Sequence, residues 1–239
     1  MSAIRLRAVF SVALLLLLLN CDMASAQTVI INIPSTDVVA RNSTYVEFDL
    51  LTHPTSFENG GYRTWIPRVV YGLRKDLEVG LNVSFTQAFA PDQPVEIQPN
   101  LKWRYFGDEK RGLSASVGGI LFVPVKNTQG TDRLGMLYTN FGKKVQGKFG
   151  PRATGGVYGL VGASASSGTR VGATVGYEQP LHSKVTFLAD WFSGKNRFGY
   201  VSGGVAVTPT SRTLLGAAYI FGNQGRGNNG LFLYVGYTF

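Results

Sequence analysis

Alternation of apolar and polar side chains is the dominant pattern along residues 44–239. In the segment Asp76–Phe85, every second residue from Leu77 onward is apolar, and the residues between them are small or polar. The segment Val95–Phe106 repeats the pattern. Successive side chains of a β-strand point to opposite faces, so each such segment predicts a strand with one apolar and one polar face.

Twelve segments of this kind, separated by turn residues, are predicted along the chain. They are Thr44–Leu51, Gly61–Leu73, Asp76–Phe85, Val95–Phe106, Gly112–Val125, Leu134–Val145, Ala153–Ser164, Arg170–Gln179, Lys184–Phe192, Phe198–Thr208, Arg212–Phe221 and Gly230–Phe239. Their connections alternate between mostly longer and mostly short. An even number of strands with this alternation predicts an all-β, membrane-spanning antiparallel up-and-down β-barrel. Glycine blurs the two faces around 134–164, which leaves ten or fourteen strands as alternatives.

The last predicted strand ends the chain with an unbroken apolar row. Its five members share one face: Leu231, Leu233, Val235, Tyr237 and Phe239. This end resembles the C-terminal signature of bacterial outer-membrane β-barrels, whose last residue is typically Phe with apolar residues at every second position before it. The resemblance implies that the barrel assembly machinery recognises these five residues as an assembly signal.

The first 26 residues have the layout of a secretory signal peptide. Arg5 and Arg7 precede an apolar stretch at 8–19, and Ala24-Ser25-Ala26 is a small-residue cleavage signal. This layout predicts a protein that is exported and cleaved after residue 26. Together with the resemblance of the C-terminus, it implies the bacterial outer membrane as the destination.

The single cysteine, Cys21, leaves one alternative open at this end. It follows a weak lipoprotein-like sequence, so lipidation of Cys21 competes with cleavage after Ala26. If cleavage follows Ala26, the mature chain has no cysteine and no disulfide. Residues 27–43 are predicted to be a periplasmic lead-in that packs near the mouth of a barrel formed by residues 44–239, with a short plug as the alternative.

The chain is basic, with a formal net charge of +9. Its basic residues do not cluster on one face, and an exported protein has little access to nucleic acid, so no nucleic-acid partner is expected. We expect the basic loops to contact the phosphates of outer-membrane lipid and lipopolysaccharide instead.

Ionisable side chains recur on the face predicted to point inward. The candidate lumen-lining residues are Glu47, Arg68, Glu78, Glu96, Lys102, Arg104, Arg170, Glu178 and Asp190. Hairpin geometry predicts that Glu47 approaches Arg68, that Glu78 lies level with Lys102 and Arg104, and that Arg170 lies opposite Asp190. Two interpretations remain open: a charged constriction that filters solutes, or an ion-pair network that fills a narrow barrel.

The sequence offers little for catalysis. His53 and His182, the two histidines, fall in an outer loop and an inner turn, so they cannot share a site. His53 has Ser56 nearby, and serine hydrolases use these two residue types as base and nucleophile. An outer-membrane lipid hydrolase is therefore a third hypothesis. Ligands at metal-binding spacing and cofactor motifs are missing from the sequence, so we expect no enzyme activity, metal or cofactor.

Three pieces of the chain resemble one family of bacterial barrels. They are residues 34–38 (PSTDV), 71–80 (YGLRKDLEVG) and 189–194 (ADWFSG). The family is regarded as one of transporters and is named for a phenol-degradation (MetA) pathway. The resemblance implies an outer-membrane barrel that acts as a channel for small or aromatic compounds. Porin-like passage of small solutes is therefore the first functional hypothesis, and a closed structural or surface barrel is the alternative.

Overall fold

Twelve antiparallel strands form one closed barrel in the computed structural model, which describes residues 28–89, 94–126, 133–164, 167–225 and 228–239. Each strand pairs with its neighbours in sequence, and β12 pairs with β1. The prediction of a membrane-spanning up-and-down barrel of about twelve strands is confirmed. The strands are β1 (Thr44–His53), β2 (Tyr62–Arg74), β3 (Leu77–Ala88), β4 (Val95–Asp108), β5 (Leu113–Lys126), β6 (Leu134–Lys144), β7 (Arg152–Val161), β8 (Val171–His182), β9 (Val185–Phe192), β10 (Tyr200–Val207), β11 (Thr213–Gly222) and β12 (Gly230–Thr238).

The barrel has two different ends. Short connections such as Lys75-Asp76 join the strands at one end, here called the turn end, where β1 begins and β12 finishes. Longer connections such as 193–199 lie at the other, the loop end. The predicted signal peptide and Cys21 lie outside the described residues. Within the described residues, no helix is both long enough and apolar enough to cross a membrane.

The seam between β1 and β12 closes the sheet. Phe48 pairs with Val235 in an antiparallel register, and the backbone N–H of Phe239 donates to the carbonyl of Thr44 at 2.8 Å. Closure satisfies the backbone hydrogen bonds of both terminal strands. This matters because an open edge in lipid leaves polar groups without partners.

Apolar side chains cover the outward face of the wall. In β12, Leu231, Leu233 and Val235 are exposed, whereas Phe232 and Tyr234 point inward and are buried. The same alternation runs through the other strands and gives the outward face expected of a membrane-spanning barrel.

Several inward aromatic rings lie flat on glycines of the neighbouring strand. A Cβ atom added to Gly216 would lie 1.8 Å from Cζ of Tyr234, its partner in the register. Tyr138 covers Gly118 in the same way and is only 7% exposed. Tyr138 therefore faces the lumen, where its ring covers a glycine of the neighbouring strand.

Candidate functional site: the lumen and its N-terminal plug

Residues 28–39, here called the plug, run inside the barrel rather than beside its mouth. Ile30, Ile31 and Ile33 are almost completely buried. The methyl ends of Ile30 and Ile33 occupy the space that a side chain at Gly176 would need. This position differs from the lead-in near the barrel mouth that the sequence favours. The physical reason is that the three isoleucines are shielded from water inside the barrel, whereas a tail near its mouth would leave them exposed to it.

The plug forms a tight loop rather than a strand or a helix. Val29 and Pro34 form an isolated bridge, and the N–H of Ile30 donates to the carbonyl of Ile33 at 2.9 Å. The N–H of Ser35 donates to the carbonyl of Thr28 at 3.0 Å. This loop leaves the amides at its tip free to bond to the barrel wall.

Asp190, on β9, holds the tip of the plug. Its Oδ2 atom accepts hydrogen bonds from the backbone N–H groups of Ile31, Asn32 and Ile33, at 3.0, 2.6 and 3.1 Å. The side-chain amide of Asn32 donates to Ser202 on β10. Hydrogen bonds to an ionised carboxylate are about twice as strong as neutral ones, so Asp190 is the main polar anchor of the tip.

Glu78 and Lys102 hold both ends of the plug. Lys102 Nζ lies 3.0 Å from Glu78 Oε1, as the sequence predicts, and both residues are buried. Lys102 Nζ also donates to the carbonyl of Thr28 at 2.8 Å, and Glu78 Oε2 accepts from the N–H of Val39 at 2.7 Å. Each member of the ion pair therefore also bonds to the plug: Lys102 bonds to its first residue and Glu78 to its last.

Arg152, which the sequence pattern does not single out, connects the plug to the turn end of the wall. Its guanidinium bonds to Asp37 of the plug and, through two nitrogens, to Glu178. Burial by itself raises the pKa of Asp37, but the charge and hydrogen bond of Arg152 outweigh it and hold this pKa below its usual value. The pair of Arg152 and Glu178 follows from the register of β7 and β8, in which the two residues face each other.

The other predicted ionisable residues form their own pairs in the wall. Arg68 Nε lies 2.5 Å from Asp49 Oδ2 and 3.6 Å from Glu47 Oε1, so the predicted approach of Glu47 to Arg68 is present. Arg104 bonds to Asp76 through Nε at 2.8 Å, not to Glu78. Asp76 is the last residue of the short β2–β3 turn, and its carboxylate there reaches Arg104.

The predicted approach of Arg170 to Asp190 is wrong. Asp190 faces Gly176 in the register, while Arg170 precedes β8 and is exposed. The prediction placed the β8–β9 turn near residue 180. The chain instead continues through Pro180, with a register shift at the strand end where proline is tolerated, and turns after His182. The pairing therefore moves by about six residues.

Cavities lie at both ends of the barrel. The loop-end cavity has a volume of about 800 Å³ and is lined mainly by residues of β1–β4, of the β1–β2 connection and of the 193–199 loop, together with Phe122 and Tyr200. The turn-end cavity has a volume of about 950 Å³, and Asp37 of the plug lines it together with Arg104 and Arg152. The plug and the wall side chains that bind it occupy the lumen between them.

The structure does not bring His53 and Ser56 together as a catalytic pair. Nδ1 of His53 lies 2.6 Å from the carbonyl oxygen of Asn229, and Ser56 accepts a hydrogen bond from Asn59 at 2.8 Å. Within the described ranges, no group of three or more His, Cys, Asp or Glu side chains could hold a metal ion.

The fold and the lumen define a membrane-spanning twelve-stranded β-barrel with an internal plug. No protein-family model matches the sequence, and no curated protein matches it. Among solved structures, a KdgM porin in complex with disordered oligogalacturonate is similar to this chain, with a TM-score of 0.56 and 10% identity over 82% of this chain and 99% of that one. An outer membrane channel from Pseudomonas putida F1 has a TM-score of 0.54 and 13% identity over 86% and 98%. At these identities the comparisons describe the fold.

Proposed function

We propose that this protein is an outer-membrane channel for small solutes, closed in this conformation by its plug. One observation carries the proposal: the plug fills the lumen but is not part of the sheet. Apart from its chain connection to β1, only non-covalent contacts hold residues 28–39 in place. Their displacement leaves the hydrogen bonds between the twelve strands intact and joins the two cavities into one passage.

The inner wall supports passage of hydrated solutes. Amide side chains follow β3 and β4 between the loop-end cavity and the plug. Asn82 Nδ2 lies 3.5 Å from Gln98 Oε1, and Asn100 Nδ2 lies 3.4 Å from Asn82 Oδ1. At these distances the amides bond weakly to each other and are available to a passing solute. The paired carboxylates and cations of the wall oppose strong ion selectivity.

The outer face supports an outer-membrane location. An apolar outward surface, a predicted signal peptide and the similarity in fold to outer-membrane channels agree with this location. The resemblance of the sequence to the transporter family named for a phenol-degradation (MetA) pathway agrees as well. The turn end then faces the periplasm, and the barrel contacts outer-membrane lipid and lipopolysaccharide. The barrel assembly machinery is the partner expected during insertion.

A closed structural or surface barrel is the alternative. The observation that favours it is the density of polar contacts on the plug, which include the three amides on Asp190 and the Glu78–Lys102 pair. The alternative holds if these contacts never open.

A reversible disulfide separates the two functions. Ile33→Cys combined with Gly176→Cys places a thiol on the plug opposite a thiol on β8, where Cδ1 of Ile33 now lies 2.8 Å from the position of a Cβ at 176. In planar bilayers, we expect the oxidised double variant to be silent and the reduced one to show discrete conductance steps. The control pair Val201→Cys and Phe221→Cys joins outward neighbours of β10 and β11, and it should conduct in both states.

The outcomes distinguish the alternatives. Equal conductance of the plug pair before and after reduction would refute opening by displacement of the plug. Silence of every form, together with no solute flux into liposomes, would leave the closed barrel.

A further inference from the structure

The loop at 193–199 folds into the mouth of the barrel instead of standing above it. Asn196 is only 2% exposed and fixes this position. Its Nδ2 atom donates to the Tyr158 hydroxyl at 2.8 Å and to the Thr169 carbonyl at 2.7 Å, and its Oδ1 atom accepts from the N–H of Phe198 at 2.9 Å. A loop held through a buried side chain has a defined shape, so its other side chains have defined positions.

Arg197, at the inner edge of this loop, reaches the opposite wall. Its Nη1 atom lies 2.7 Å from Oε1 of Glu96 on β4. The loop joins β9 to β10, and β10 and β4 lie six positions apart in the ring of twelve, so the ion pair spans the lumen. The guanidinium also lies 4.8 Å from the ring centres of both Phe122 and Phe198, and cation–π contacts stabilise this position.

The ion pair divides the mouth into a filled side and an open side. Rings of Phe122, Phe198, Phe192 and Tyr158 contact one another in series on the filled side, at centroid separations of 4.2–5.9 Å. The 800 Å³ cavity is the open side; it lies against β1–β4, and Phe122, Phe198 and Arg197 form its boundary with the filled side. A solute that occupies this cavity therefore lies beside Arg197.

The charges along this open side are few. Three charged side chains line the cavity among the residues that the structure describes: Glu58, Glu96 and Arg197. Arg197 is thus the one cation in that lining, and its guanidinium side chain keeps 40% of its surface exposed. Ions that pass within a few ångströms of this pair experience both of its charges, because water screens them only partly at that range.

We propose that Arg197 and Glu96 form the loop-end filter of the channel and determine its preference between cations and anions. This inference rests on the proposed function. Arg197 offsets the carboxylates of the cavity, and Glu96 both fixes Arg197 across the mouth and limits its attraction for anions. Because Arg197 and Glu96 oppose each other, the filter itself favours small uncharged solutes, and the remaining carboxylate of Glu58 leaves the lining of the cavity with one net negative charge.

Permeability ratios test this filter in the full chain. Asp190→Asn, which weakens the hold on the plug, supplies a conducting background, and reversal potentials are measured across a KCl gradient. We expect Arg197→Gln to raise the ratio of K⁺ to Cl⁻ permeability by about threefold or more, and Glu96→Gln to lower it by a similar factor. Arg197→Lys keeps the charge and should stay near the background value. Lys184→Gln removes an exposed turn-end cation and is the control for charge outside the cavity.

Heat-modifiable migration in detergent gels verifies that each variant folds. An unchanged ratio in folded, conducting Arg197→Gln and Glu96→Gln variants would overturn the filter and leave the channel proposal standing. Equal shifts in the Lys184→Gln control would also overturn it. A background that is silent in bilayers and passes no solute into liposomes would overturn both proposals.

Discussion

The Oδ2 atom of Asp190 lies 2.6 Å from the backbone nitrogen of Asn32, although 158 residues separate the two in the chain. This contact and the two amides beside it connect the tip of the plug to β9. The plug therefore depends on one carboxylate for three of its hydrogen bonds. Substitutions at this carboxylate should move the balance between closed and open barrels more than they disturb the wall.

Asp190→Asn should increase the open probability about tenfold. The amide oxygen can still accept hydrogen bonds, but it loses the charge, and charged hydrogen bonds exceed neutral ones by about 1 to 1.5 kcal/mol. Single-channel recording in planar bilayers measures the effect. Asp76→Asn is the matched control, because it removes a carboxylate that binds Arg104 and not the plug. An equal increase in both variants would show that general loosening, and not release of the tip, opens the barrel.

The anchor between Asp37 and Arg152 should persist in mild acid. The folded-state pKa of Asp37 lies below the ordinary value of about 3.9, so its contribution is present above that value and is lost only as pH falls through the lower, folded pKa. Asp37→Asn should raise the open probability over wild type by the same factor at pH 7.5 and pH 5. The difference should shrink only below about pH 4. A difference that disappears between pH 7.5 and pH 5 would contradict the lowered pKa.

Gly216→Ala should destabilise the barrel by about 1–3 kcal/mol, because the new methyl group would overlap the ring of Tyr234. The measurement is the temperature at which the folded band is lost in heat-modifiability gels. Gly203→Ala, on the adjacent strand β10, has no atom within 4 Å of the new Cβ and should leave that temperature unchanged. Similar losses in both would show that glycine flexibility, rather than contact with the ring, matters at these positions.

Phe239→Ala should reduce the amount of folded barrel in the outer membrane several-fold. The resemblance to outer-membrane barrels implies that the assembly machinery reads this terminus, and the Phe239 ring packs 4.8 Å from that of Tyr237. Phe239→Tyr keeps the ring and should assemble normally. Quantitative blotting of membrane fractions gives the readout, and refolding into detergent in vitro separates recognition from stability. Normal membrane levels of the alanine variant would refute the interpretation of Phe239 as part of an assembly signal.

Combined substitution His53→Ala and Ser56→Ala should leave lipid composition unchanged. The imidazole and the hydroxyl bond to Asn229 and Asn59 respectively, so His53 does not activate Ser56 in this conformation. Release of fatty acid from phospholipid vesicles, compared between wild type and the double variant, is the assay. Turnover by the wild type that is lost in the variant would restore the hydrolase hypothesis.

The alternation of apolar and polar residues predicts the strands of the barrel wall but not the structure of the segment inside the barrel. The predicted segment Val95–Phe106 became β4, Val95–Asp108, because side chains between lipid and lumen must alternate along every strand. The plug has no such period. Its isoleucines and Pro34 are compatible with a tail or with a plug, and only the space left by Gly176 decides between them. The wrong pairing of Arg170 has a similar cause. The register of two strands depends on the position of the turn between them, and the residue composition does not indicate that the turn follows His182.

The long sequence separation between the plug and its anchors has a consequence for the order of folding. The plug leaves the ribosome long before β9 exists, yet its tip bonds to Asp190. Its binding site is complete only after β1 to β9 have formed, and Asp190 lies more than 150 residues further along the chain than the tip. Binding of the plug tip to Asp190 must therefore follow the addition of β9 to the wall. Late insertion of a segment with its own short loop is a step that can run backwards without unfolding the barrel.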